Sequence, residues 1–283
     1  MRCEPIVIIG APRSGTNMLR DLLVDLDSFH TWPCDEINYI WRYGNARYPS
    51  DELTSEMATP KIVDYIRRQF GKIEKPRMRT IEKTCANSLR VPFVEKILPE
   101  ARYIFIVRDG VDVVRSSIKR WTSKMDIPYL ARKARYVPFA DLPYYSIRYF
   151  RTRVHKLFSE ENRLSFWGPQ LDCMPNYLEK YSLEQVCALQ WKHCVESAAS
   201  ALGTLDSARV HRLRYEDIVR QPKEELGKIL TFLGSTDSSE EIARVVGTVR
   251  TDSVGKGRDR LAPEIRENIH PLIQSTLEQL GYE

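Results

Sequence analysis

No stretch of the 283 residues approaches the roughly eighteen consecutive apolar positions that would span a bilayer. The opening run from Met1 to Ile9 is too short, and too soon interrupted, for a secretory leader. A cytoplasmic protein is the expectation. Cysteine is scarce and unpaired: Cys3, Cys34, Cys85, Cys173, Cys187 and Cys194 include no C-x-x-C, and the five histidines do not gather with them at zinc-ligand spacing. Neither a disulfide framework nor a structural metal is expected. Cys187 and Cys194, seven residues apart, are expected on one buried helix face. Internal repeats and low-complexity tracts are also missing, which argues against a solenoid or a disordered array.

What is present is the composition of an ordinary globular protein, 42% hydrophobic and 29% charged, with a formal net charge of +5. That excess is local. Between Trp121 and Glu160 stand eight Lys or Arg, three acids and nine aromatics. Such a stretch suits an anionic partner as well as it suits a solvated helical face. Prolines 128, 138, 143, 169 and 175 break the periodicity from Thr122 to Tyr181. The domain expectation is one unit over 1–283, with 122–181 as an insertion or lid.

The apolar run Ile6-Val7-Ile8-Ile9 stops at Gly10-Ala11-Pro12-Arg13-Ser14-Gly15, and Thr16 to Leu23 takes up helical spacing. A second such unit runs from Arg102–Val107 through Arg108-Asp109-Gly110 into Val111–Trp121. Further strands fit Val210–Arg214 and Arg79–Glu82, and helices fit Pro60–Phe70, Leu89–Leu98, Leu183–Leu202, Pro222–Leu233 and Pro263–Leu280. Repeated strand-loop-helix units predict an α/β fold: a P-loop-like parallel β-sheet flanked by helices, with a mostly helical or irregular insertion.

The loop Gly10–Thr16 has the G-x-x-x-x-G spacing of a phosphate-binding loop but carries Thr16 where an ATPase has its lysine. Its glycines would let the backbone approach an anion, and the following helix offers its positive end. Arg13 can supply a side-chain cation. Arg108, at the carboxyl end of a parallel strand, and Ser116, eight residues on, can converge with that loop, since ligands of open α/β sheets sit beyond the strands' carboxyl ends.

Pro12-Arg13-Ser14-Gly15-Thr16, Arg108-Asp109-Gly110 with Ser116, Arg214-Tyr215-Glu216-Asp217 and Phe232-Leu233-Gly234 occur in the order seen in phosphosulfate-dependent sulfotransferases, which the chain resembles. Trp167-Gly168-Pro169 is similar to bacterial members, and the residues after the first helix resemble the tyrosylprotein and glycan branch. The resemblance implies 3′-phosphoadenosine 5′-phosphosulfate (PAPS) as co-substrate, adenosine 3′,5′-bisphosphate (PAP) as product, and no metal. It assigns the 5′-phosphosulfate to Arg13, Ser14, Gly15 and Thr16, with Asn17 beside them, and the 3′-phosphate to Arg108 and Ser116. Tyr215 and the basic loop residues Lys256, Gly257 and Arg258 are further donor contacts.

For the base, the resemblance points to Glu36 in Asp35-Glu36-Ile37-Asn38, with Glu82 and His30 as rivals. His30 is expected in a loop. A carboxylate base implies a partly desolvated site. Lys83 and Arg13 would offset charge on the transferring group. The favoured acceptor is a hydroxyl on a carbohydrate or glycolipid, followed by a peptide tyrosine and a small phenol or alcohol; a P-loop kinase and a non-catalytic nucleotide- or glycan-binding protein are the other classes. No nucleic-acid partner is expected, and a homodimer stays open.

Overall fold

The computed structural model describes residues 4–122, 135–147, 167–249 and 260–282, together with 150, 154 and 255. Its centre is strand β1 (Ile6–Ile9), every residue of which is buried. Side chains alternate across a strand. Val7 and Ile9 therefore enter one apolar cluster with Tyr103, Phe105 and Val107, while Ile6 and Ile8 enter a second with Ile81, Ile104 and Ile106. Full burial of each such side chain contributes about 1.5–3 kcal/mol, so this four-residue run nails the sheet in place from both faces.

The elements follow as α1 (Thr16–Val24), β2 (Phe29–Thr31), α2 (Asn38–Trp41), α3 (Pro60–Ile73), β3 (Arg79–Lys83), α4 (Val91–Ile97), β4 (Arg102–Val107), α5 (Gly110–Trp121), α6 (Met174–Lys180), α7 (Leu183–Leu202), β5 (Val210–Arg214), α8 (Tyr215–Arg220), α9 (Pro222–Leu233), α10 (Ser239–Val246) and α11 (Pro263–Gln279). The sheet order is β2-β3-β1-β4-β5, and every pair is parallel. Parallel strands need crossovers, and the intervening helices cover both faces. The expected α/β class is what the chain adopts.

Local signals set the helix ends. Pro222 opens α9, and Gly234, at φ 66°, closes it in the left-handed conformation that glycine adopts without steric cost. Asp109 caps α5 by accepting from Val111 N at 2.8 Å. Gln185 Oε1 accepts from Ser182 N at 3.1 Å at the start of α7. Along α7, Cys187 and Cys194 are both buried in the larger cluster.

Two elements depart from expectation. Phe29–Thr31 forms a strand, so His30 lies in β2 and not in a loop; its ring is buried beside β3, with Nε2 3.0 Å from Thr80 Oγ1. The predicted helix Leu89–Leu98 is shorter, forming α4 over Val91–Ile97, with Leu89 ending a preceding 3₁₀ turn (Cys85–Leu89), because Pro92 has no N–H and fits the first turn of a new helix. Of the expected insertion 122–181, residues 123–134, 148–149, 151–153 and 155–166 lie outside the described residues; among the rest, Leu171 and Met174 are buried in the main cluster. Gln190 of α7 anchors the preceding turn by donating from Nε2 to the carbonyls of Trp167 (2.9 Å) and Pro169 (2.8 Å).

Candidate active site

Because β1 is the middle strand, the carboxyl ends of β1, β3 and β4 stand side by side. The segments leaving them converge there, and the turn after β2 closes one flank. In the loop after β1, Arg13 (φ 69°) and Gly15 (φ 89°) both take the left-handed conformation. For arginine that conformation costs roughly 1 kcal/mol or more, a strain typical of ligand-holding loops. The loop is also tightly seated: a Cβ on Gly10 would stand 2.7 Å from the Ile106 carbonyl, and one on Gly15 only 2.2 Å from the Tyr215 ring. Both glycines are required by close approach.

Gly15 immediately precedes α1, and no side chain caps that helix. Its first-turn N–H groups thus face the loop cavity. Ser14 is fully buried and its hydroxyl has no hydrogen-bond partner. An unsatisfied buried hydroxyl costs about 1–3 kcal/mol, and an oxyanion in the loop would accept its proton. The residues present therefore fit a phosphate or phosphosulfate group.

The cations beside the loop strengthen that fit. Arg13 Nε donates to Ser116 Oγ at 2.8 Å, joining the two elements that sequence had paired. Burial pulls the Arg13 pKa down from its ordinary value, and the neighbouring Arg120 and Arg108 guanidiniums pull it further. Such clustered positive charge is relieved by an anion. Arg108 donates to the Arg13 carbonyl (3.3 Å) and to Asp112 Oδ2 (3.1 Å), and its guanidinium lies over the Tyr215 ring at 4.2 Å. Tyr215 is thereby sandwiched between Gly15 and Arg108. Asn17 is exposed on α1. Lys256, Gly257 and Arg258 lie outside the described residues, although the adjacent Gly255 N donates to Asp112 Oδ2 at 3.0 Å.

The second half of the site lies at the end of β3. Strand alternation turns Glu82 and Lys83 to opposite faces. Lys83 Nζ is 3.2 Å from both Asp35 Oδ1 and Glu36 Oε1. Arg20 of α1 also donates to Asp35. Burial by itself would lower the Lys83 pKa, but the carboxylates of Glu36 and Asp35 outweigh it and raise the value above that of an ordinary lysine. Burial likewise works to raise Asp35, and Lys83 with Arg20 overcomes it, holding that carboxyl below its ordinary value. Glu36 Oε1 further accepts from Cys85 N at 3.3 Å, and Cys85 Sγ stands 3.6 Å from Thr16 Oγ1. Cys85 is thus the link between the acid and the phosphate loop.

Glu82 has a different setting. It is fully buried, accepting from Trp41 Nε1 (3.1 Å), Asn87 Nδ2 (2.8 Å) and Thr84 Oγ1, and burial raises its pKa. Thr84 Oγ1 in turn accepts from Ile37 N at 3.2 Å, the residue next to Glu36. His30, the third candidate, is held on β2 by Thr80 of β3, and burial lowers its pKa. The sequence reading had missed Asp112, Arg20 and Cys85. Only Asp112 left a signal, an acid four residues after Arg108 in the first turn of the expected helix.

Among the described residues no group of three or more His, Cys, Asp or Glu is placed to hold a metal ion. Also among them, no helix is long and apolar enough to cross a membrane.

Comparison with known proteins gives this geometry a family. Sulfotransferase 1A1 of Bos taurus is 26% identical over 242 residues, covering 80% of this chain and 68% of its own. The sulfotransferase domain from the curacin biosynthetic pathway superposes with a TM-score of 0.55 at 16% identity, covering 100% of this chain and 99% of its own. STF9 from Mycobacterium avium does so with a TM-score of 0.56 at 13% identity, over 99% of this chain and 77% of its own. Mouse SULT7A1 complexed with PAP gives 0.52 at 14%, over 97% and 85%. At such identities these structures establish the shared fold. The sulfotransferase domain family itself matches residues 4–276, nearly the whole chain, and the chain belongs to that family of enzymes.

Proposed function

We propose that the enzyme transfers the sulfuryl group of PAPS to a hydroxyl of a carbohydrate-bearing acceptor, a glycan or glycolipid, with Glu36 as the base. The observation that carries the reading is the position of Lys83 Nζ, 3.2 Å from Glu36 and held one short relay, Glu36 to Cys85 to Thr16, from the phosphate loop. A base and a permanent cation thus flank the place where the transferring group would lie.

The balance of the step is simple. The acceptor oxygen bonds to sulfur as its proton passes to the Glu36 carboxylate. The bond between sulfur and the bridging oxygen breaks, and its electron pair stays on the 5′-phosphate of the departing PAP. Lys83, kept protonated by its two carboxylates, offsets charge building on that bridging oxygen. Arg13, Ser14 and the first-turn amides of α1 would hold the phosphosulfate, and Arg108 with Ser116 the 3′-phosphate. Positioning and preorganised charge then supply most of the acceleration, as in phosphoryl transfer.

The acceptor side supports a sugar. Tyr39, three residues after Glu36 and half-buried, stands edge-on to Tyr145 with centroids 4.6 Å apart, and Tyr144 follows at 5.3 Å from Tyr145. Aromatic faces suit the apolar faces of pyranose rings, and the basic excess between residues 121 and 160 suits an anionic glycan.

The test is initial-rate measurement with sulfur-labelled PAPS against a panel of anionic glycans, glycolipids, tyrosine peptides and simple phenols, using wild type and Glu36→Gln. Transfer to a glycan or glycolipid is expected, with kcat lowered about 10²–10⁴-fold in the variant and PAP affinity retained. Preferred transfer to peptide tyrosine would overturn the acceptor assignment, and full activity in Glu36→Gln would overturn the base.

A further inference from the structure

The segment Arg214-Tyr215-Glu216-Asp217 contains a carboxylate that the chemistry above does not use. Glu216 is 5% exposed, in the first turn of α8, and its two oxygens face different partners. Oε1 accepts from the backbone N of Asp109 at 3.1 Å; Oε2 accepts from the Tyr282 hydroxyl at 2.6 Å. Tyr282 is itself 5% exposed. Its backbone N donates to the Leu277 carbonyl at 2.8 Å, and Arg214 lies over its ring at 4.2 Å. A residue from beyond the last helix is therefore bonded, through one carboxylate, to the peptide that follows Arg108.

That peptide has unusual leverage. Asp109 caps α5, the helix that carries Asp112 and Ser116, and the same α8 turn presents Tyr215 beneath the Arg108 guanidinium. Asp109 lies at the junction where β4 ends and α5 begins, so its N–H fixes the direction in which Arg108 leaves the sheet. A carboxylate is a costly group to bury unless donors saturate it. Here one donor is the backbone of Asp109, next to Arg108, and the other is the hydroxyl of Tyr282 from the C-terminal segment.

We propose that Glu216 and Tyr282 are positioning residues for the donor's 3′-phosphate: Tyr282 orients the Glu216 carboxylate, which holds Asp109 and thereby Arg108 and Ser116 in register with the phosphate loop. The proposal rests on the reading that Arg108 and Ser116 bind the 3′-phosphate. Neither residue is a catalytic residue. Their removal therefore affects how well the 3′-phosphate is distinguished and leaves the chemical step alone.

The experiment is calorimetric titration of the full chain with PAP and with adenosine 5′-phosphate, which lacks the 3′-phosphate, for wild type, Arg108→Ala, Tyr282→Phe, Glu216→Ala and Glu216→Gln. Thermal unfolding is recorded alongside. Arg108→Ala tests the underlying reading: if it leaves the preference for PAP intact, the 3′-phosphate assignment fails and the proposal with it. With that preference lost in Arg108→Ala, Tyr282→Phe is expected to weaken PAP about three- to tenfold, less than the full value of a hydrogen bond to a charged group because the lost bond orients the pocket and does not touch the nucleotide, with adenosine 5′-phosphate unchanged. Glu216→Ala is expected to lose more and Glu216→Gln, which keeps an oxygen for Asp109 N, to recover most of it. At saturating PAPS the kcat of Tyr282→Phe should match wild type, while its KM for PAPS rises. Equal weakening of both nucleotides, or an unchanged PAP preference in Tyr282→Phe, would overturn the proposal while leaving the Arg108 assignment standing. Should the Glu216 variants not fold, the isosteric Tyr282→Phe decides alone.

Discussion

Exchanging Glu82 for glutamine separates a carboxylate that builds the site from one that does chemistry. Glu82 lies one residue before Lys83, and its oxygens receive hydrogen bonds from Trp41, Thr84 and Asn87 in a setting with no solvent exposure. Glutamine keeps the shape but replaces one acceptor oxygen with an N–H₂ group, so at least one buried donor meets another donor. That loss costs about 1–3 kcal/mol. It is partly offset because burial, which raises the Glu82 pKa, penalises the charged form that glutamine removes. A net loss of about 1–2 kcal/mol corresponds to a fall in Tm of roughly 2–8 °C for a chain of this size.

The rate should respond much less. Glu82 faces away from Lys83, and its connection toward Glu36 runs indirectly, through Thr84 and the Ile37 amide. A kcat within about tenfold of wild type is expected, against the 10²–10⁴-fold loss typical of removing a general base. Thermal unfolding and initial rates measured on the same preparation decide the matter. If Glu82→Gln kept the wild-type Tm and lost more than about a hundredfold in kcat, the order of the two carboxylates would be reversed and Glu82 would become the base.

Two further outcomes follow from the donor loop and its neighbours. Gly15→Ala is expected to abolish PAP binding by calorimetry, since its Cβ would be 2.2 Å from Tyr215 at a φ of 89°; retained affinity would show that the loop rearranges freely. Asp35→Asn should lower stability at neutral pH, since Lys83 and Arg20, overcoming burial, hold the Asp35 carboxyl below the ordinary 3.8. A depressed folded-state value contributes stability that is complete above the unfolded value and lost as pH falls through the folded one. The difference in Tm between variant and wild type should therefore be full near pH 6 and shrink below about pH 4; a difference that stays constant down to pH 3 would contradict the ion pairing.

How much of this was legible in the sequence depends on how local each feature is. The buried run Ile6–Ile9, the strand Arg102–Val107 and the helices α7 and α9 announce themselves through continuous apolar stretches or end signals such as Pro222 and Gly234. Strand β2 did not: three residues carry no period, and Phe29-His30-Thr31 is a strand because β3 is beside it to pair with. The same holds for the site. Arg13 and Ser116 could be placed together from strand ends and helix starts. The Lys83 contacts to Asp35 and Glu36 could not, because they depend on the course of the chain between β2 and α2 relative to β3. Glu82 reads as a solvated strand end from its charge alone, and its burial follows from Trp41 of α2 meeting Thr84 and Asn87 of the turn after β3.

The position of β5 at the sheet edge has a consequence for biosynthesis. Val210–Arg214 pairs with Tyr103–Val107, so once the chain has emerged from the ribosome as far as Trp121 the strands β1, β3 and β4 can associate while the outer edge of β4 still lacks its partner. Long-range parallel pairing of this kind is slow to close, and an open edge invites wrong pairing until it does. The phosphate loop is made first, but Tyr215 and Glu216, which brace Arg108, are joined to it only when β5 docks. A nascent chain that stalls before residue 210 would carry half of the donor pocket, and nucleotide binding would become a property of the chain only in the last quarter of its translation.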